Sequence, residues 1–245
     1  MKLIHKTGQI MVLDERFYTK NGKIFYPGAT NVLSCYPKGK GFEEFLKNTG
    51  QNVSAVLEKA GNEGSNVHEA IEAILKGKEV SWADEEGKPV YNLTEWRCIV
   101  KFMQFYGVHK PEIVAVEEVI ISDKYKLGTM LDFVCRINGE LWYIDHKTSK
   151  NIFDNHYIQL AMSVELWNEC HEEKITRSGV LWLKAATRGP DKKGVKMQGA
   201  GWQVKESPRG MAYDWETYLA VRKIWDRENP NFKPKNLIYP DKFSI

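Results

Sequence analysis

The residues best suited to chemistry lie between positions 117 and 147, in EEVIISDKYKLGTMLDFVCRINGELWYIDHK. Two apolar segments, 130–137 and 141–144, flank the pair Asn138-Gly139, which is a hairpin signal. Each segment admits one aspartate, Asp132 and Asp145, and Lys147 follows two residues after the second. Side chains two apart on a strand share a face, so Asp145 and Lys147 point one way and His146 the other. A turn at Asn138-Gly139 sets Asp132 opposite Asp145, with Cβ atoms about 4.5–5.5 Å apart. Two carboxylates that close repel unless a proton or a cation lies between them. Hard divalent ions such as Mg²⁺ take such oxygen ligands, and a neighbouring lysine can orient a water or steer its proton. A D-x-K pair is also common by chance, so a strand-end Asp145 and a solvated Lys147 stand as the plainer reading.

A wider series surrounds the pair. Gly64-Ser65-Asn66-Val67-His68 comes first, then Gly128-Thr129 ahead of Asp132, then Asp145-His146-Lys147-Thr148, then Gln159. Taken in order, these resemble the PD-(D/E)XK nuclease superfamily in its RecB-like exonuclease branch. That branch includes CRISPR-associated nucleases, phage exonucleases and the mitochondrial genome maintenance exonuclease. The resemblance spans roughly residues 26–182. It implies an α/β fold, a mixed central sheet flanked by helices, with a restriction-endonuclease-like core and an N-terminal helical wall. It implies a single nuclease domain over 1–245: a mainly helical N-terminal stretch over 1–110, a catalytic core over 111–205, and a C-terminal helix and tail over 206–245.

The activity implied is divalent-metal-dependent hydrolysis of DNA phosphodiester bonds, from single-stranded ends, in recombination, repair or replication. The resemblance makes Asp132, Asp145 and Lys147 catalytic. The metal, Mg²⁺ or Mn²⁺, would be held by His68, Asp132, Asp145, the backbone carbonyl of His146 and Glu117, with Glu118 as the alternative on that strand. Gln159, Thr148 and Lys150 would touch substrate. The family's tyrosine, four residues after its glutamine, is Ser163 here, which removes that contact. Two readings from other classes stand beside the exonuclease. One is a structure-specific endonuclease or an inactive nucleic-acid-binding protein of the same superfamily. The other is a two-carboxylate sugar hydrolase, which has no use for Lys147 or His68.

Composition sets the outer bounds. The chain has 245 residues, enough for one sizeable core, and its net charge of +3 neither requires nor excludes nucleic acid. No apolar run approaches the ~18 residues of a membrane span, and the first residues are too polar for a signal peptide, so a cytoplasmic protein is expected. Cys35, Cys98, Cys135 and Cys170 are scattered without a C-x-x-C, so neither a zinc knuckle nor an iron–sulfur cluster is expected.

Several elements must position these residues. Asn21-Gly22 predicts a hairpin ending in a strand at 24–26, and Thr30 an N-cap. Residues 42–76 are patterned as helix, with Gly61-Asn62-Glu63-Gly64 predicting a break and Ser65 or Asn66 a new cap. His68 then falls in a first helical turn, and Gly77 stops the helix. A loop at 78–93, a helix at 94–106 and a strand at 111–118 follow. Then come a helix at 155–170, strands at 180–183 and 202–204 with a basic loop at 187–194, a helix at 214–228 and an extended tail at 232–245.

Overall fold

The computed structural model describes residues 3–4, 8–12, 15–185 and 201–234. Two sheets carry the fold. A small antiparallel sheet takes β1 (Leu3–Ile4), β2 (Gln9–Val12), β3 (Glu15–Tyr18) and β4 (Tyr26–Pro27) in that order. The main sheet takes β5 (Glu112–Ser122), β6 (Leu127–Ile137), β7 (Glu140–Lys147), β8 (Arg177–Trp182) and β9 (Gln203–Lys205). All its neighbours are antiparallel except β7 and β8, so the sheet is mixed, as expected. The parallel step is bridged by a helix, α5 (Asp154–Cys170), because parallel strands need a long crossover.

Helices cover both faces. On one, α5 and α6 (Met211–Glu228) bury Ile158, Met162, Leu166, Tyr218 and Trp225 against Leu131, Val134, Tyr143 and Val180. On the other, α3 (Val53–Leu75) and α4 (Leu93–His109) bury Val67, Ile71, Phe102 and Phe105 against Phe133, Cys135, Ile144 and Leu181. Alternation along β7 thus feeds two cores, Tyr143 to one and Ile144 to the other. The short α1 (Ala29–Val32) and α2 (Lys40–Thr49) precede this pair, and α2 has no buried residue. The small sheet joins the large one where Gly28 bridges Gly128. The ring of Tyr18 lies so close to Gly128 that an added Cβ would stand 2.1 Å from it, hence a glycine there.

Several expectations need correction. Asn21-Gly22 does form a turn, with the Asn21 carboxamide accepting from the N–H of Lys23 and Ile24, but it closes a wider loop: Tyr18 pairs with Tyr26 and Phe17 with Pro27. Thr30 lies inside α1, whose N-cap is Gly28. The break at 61–64 does not occur, and α3 runs unbroken through both glycines. His68 is therefore deep in a long helix rather than in a first turn, and Ser65 and Asn66 cap nothing. An isolated helical glycine costs only about 1 kcal/mol, which the packing of Val67, Ala70 and Ile71 outweighs. Gly64 also lets α3 approach the end of β7, since a Cβ there would meet the Thr148 hydroxyl at 3.4 Å. Gly77, at φ +75°, lies just past the end of α3, as expected. The helices α4 and α6 begin earlier than expected; α4 starts at a capping box in which Asn92 and Glu95 exchange hydrogen bonds. The basic loop at 187–194 and most of the expected tail lie outside the described residues.

Candidate metal centre

The turn at Asn138-Gly139 forms, with both residues at positive φ, 53° and 84°. It sets the register Phe133 with Ile144 and Val134 with Tyr143. One step further, Asp132 comes opposite Asp145. The two carboxylates do not simply face each other there, because β6 slips at Asp132. Leu131 belongs to the core under α5, yet Phe133, two residues on, belongs to the core under α3. A regular strand would put both on one face. The partner strand is irregular at the same point. Between the pairs Val116 with Phe133 and Glu118 with Leu131 lies Glu117, at φ +51°. A non-glycine residue in that region costs roughly 1–2 kcal/mol, and such costs gather at functional sites.

The slip swings Asp132 toward α3. Its Oδ1 lies 3.6 Å from His68 Nδ1, and its Oδ2 lies 3.1 Å from His146 Nδ1. The backbone N–H of His146 donates to the same Oδ2 at 2.9 Å. The His68 and His146 rings lie 3.7 Å apart. One ligand atom from each of the three side chains can be chosen so that all lie within 4.8 Å of one another. His146 is 2% exposed; its Nδ1 lies against Asp132, and its Nε2 has no hydrogen-bond partner among the described residues. Burial and the neighbouring His146 push His68 down to about 3, which keeps a lone pair available near neutral pH. Burial alone would raise Asp132; the two histidines, with a side-chain hydrogen bond from His146, and Lys147 outweigh it and hold the carboxylate well below its usual range.

On the opposite face of β7, Asp145 and Lys147 meet as the spacing predicts, Nζ to Oδ2 at 2.8 Å. Asp145 is 1% exposed. Its Oδ1 accepts from Lys147 Nζ at 3.1 Å, Tyr143 Oη at 3.3 Å and Gln159 Nε2 at 3.4 Å, whereas Oδ2 has only the ion pair. Burial pushes Asp145 up against the pull of Lys147. Burial also opposes the charge on Lys147, but Asp145 and Asp132 hold its pKa above the ordinary value.

Glu117 lies across from Asp132, and burial, with Asp132 and Glu72 adding repulsion, pushes it up to about 8. Glu118 points elsewhere and pairs with His171 at 2.9 Å. Gln159 reaches Asp145, Thr148 stands against Gly64, and Lys150 is exposed. Comparison with protein-family models gives no match for the chain, and comparison with curated proteins gives none either. Two contributors were not foreseen from the sequence: the His146 ring and Tyr143. For His146 the signal was present. If Asp145 and Lys147 face one helix layer, the residue between them faces the layer that carries His68.

Proposed function

We propose that the chain is a divalent-metal-dependent deoxyribonuclease of the RecB-like type, acting on single-stranded ends. The observation that carries this is the convergence of His68, Asp132 and His146 next to the buried Asp145–Lys147 pair, at the open end of one hairpin. The donor set suits a metal ion, Mg²⁺ or Mn²⁺. It offers two imidazoles, one of them buried with its Nε2 unpartnered among the described residues, an ionised carboxylate, and an Asp145 Oδ2 held by the Lys147 ammonium. His68, Asp132, Asp145 and the backbone carbonyl of His146 would hold the ion, with Glu117 beside them. A bound divalent ion would lower the pKa of a water and offset charge on the scissile phosphate.

The chain's own groups do the rest. Lys147 keeps its proton, so it orients the attacking water and contacts phosphate as a cation rather than serving as base. Asp145 fixes that ammonium, and Gln159 and Tyr143 fix Asp145. Thr148 and Lys150 come just past the end of β7 and would contact the phosphate backbone. Phe42 and Phe45, both half-buried and with the Lys38 ammonium over the Phe42 ring at 4.5 Å, offer stacking surface on the helical side. The restriction-endonuclease-like core and the helical wall belong to this same reading, as do recombination, repair or replication as its setting.

A time course on 5′- and 3′-labelled single- and double-stranded DNA, with Mg²⁺ or Mn²⁺, tests it. A covalently closed single-stranded circle is the companion substrate. The expected result is metal-dependent consumption of the linear strand with the circle left intact. Rapid nicking of the circle would make the protein an endonuclease, and no cleavage of any DNA would end the reading.

A further inference from the structure

We infer that the His146 imidazole is itself a metal ligand alongside His68 and Asp132, so that the centre favours a first-row transition ion and takes Mg²⁺ poorly. The inference rests on the proposed metal centre and sharpens which ion it holds. A buried polar group left without a partner costs about 1–3 kcal/mol, so folded proteins rarely keep one without a use. His146 leaves Nε2 as such an atom among the described residues, on a ring that is 2% exposed and whose Nδ1 meets Asp132 at 3.1 Å. A purely structural histidine, packed on Phe102 at 6.5 Å between ring centroids, would be served as well by an apolar ring.

The neighbours complete a ligand set instead. Asp132 turns one oxygen to each imidazole, at 3.6 Å for His68 and 3.1 Å for His146. The face slip at Asp132, opposite the strained Glu117, is what brings that carboxylate round to the histidine side. Asp145 and Lys147 sit on the other face of β7, and the lysine ammonium is ion-paired to Asp145 rather than to this group. Neutral nitrogen donors favour first-row transition ions along the Irving–Williams series. Mg²⁺ prefers an all-oxygen, largely hydrated shell.

The full chain, stripped with chelator, is titrated with Mn²⁺ and with Mg²⁺ by calorimetry, and pulsed EPR on the Mn²⁺ form counts the coupled imidazole nitrogens. Two coupled imidazoles are expected, with Mn²⁺ bound at least about tenfold more tightly than Mg²⁺. His146→Phe, which keeps the volume, and His146→Gln should each leave one imidazole and cost Mn²⁺ at least about tenfold in affinity. One imidazole in the unaltered chain, equal affinities for the two ions, or unchanged Mn²⁺ affinity in a folded variant would overturn the inference. The unaltered chain decides the matter even where a variant fails to fold. DNA cleavage is scored separately: a two-imidazole centre without cleavage retires the nuclease and keeps the centre, and cleavage with a single imidazole does the reverse.

Discussion

The two faces of β7 handle buried polarity in opposite ways. On the α5 face, Asp145 is met by Lys147, Tyr143 and Gln159, and its charge is compensated from within the chain. On the α3 face, His146 and His68 crowd one carboxylate, and the buried His146 Nε2 has no hydrogen-bond partner among the described residues. One face is electrostatically closed and the other has unspent ligand capacity. A strand that separates them by a single residue can hold a charged lysine beside a metal centre without the lysine entering it.

The sharpest way to break this comparison is to disable the closed face. Asp145→Asn and Lys147→Ala should each lower DNA cleavage by about a thousandfold, since each removes charge placed for the reaction, while circular dichroism stays native. Full activity in both would show that the pair is only structural. Lys147→Ala carries a second cost, because it strands a buried carboxylate. Chemical denaturation should show a loss of about 2–4 kcal/mol at pH 8, smaller at pH 5, where Asp145, already pushed up by burial, takes a proton more easily.

The open face should respond differently. His68 has a folded pKa of about 3 against 6.5 unfolded, so between those values the unfolded chain holds a proton that the folded chain lacks. In chelator, stability should fall as pH drops through that window, and His68→Ala should flatten the fall between pH 7 and pH 5 by about 1–2 kcal/mol. An unchanged acid limb would count against a buried neutral His68. The smallest effect belongs to Glu117. Its folded pKa of about 8 exceeds the ordinary 4.5, so the folded chain holds the extra proton between them and stability falls as pH rises. Glu117→Gln should remove that penalty, which solvent screening at this partly exposed carboxyl holds to about 1–2 kcal/mol at pH 8, with no gain at pH 4.

Much of the closed face was legible in the residues. Asn138-Gly139 set the register, period two put Asp145 with Lys147, and α5, with Gln159, follows where its apolar stripe begins. The open face was harder to read. Gly61 and Gly64 suggested a break because local propensity disfavours them, but tertiary packing carried α3 through and moved His68 away from any helix end. The change of face at Asp132 falls opposite the positive-φ Glu117 on a neighbouring strand, a juxtaposition that no local pattern encodes. Period two alone left His146 as a residue facing a core, and only its meeting with His68 made it more than that.

End-labelled single-stranded DNA and metal-stripped protein give the most direct test. No cleavage in chelator, cleavage restored by Mn²⁺, and none from folded Asp132→Asn at any Mn²⁺ concentration that serves the unaltered chain is the expected result. Cleavage that persists in chelator or in Asp132→Asn, or metal-loaded protein that leaves every DNA substrate intact, would contradict a hydrolytic metal centre on this hairpin.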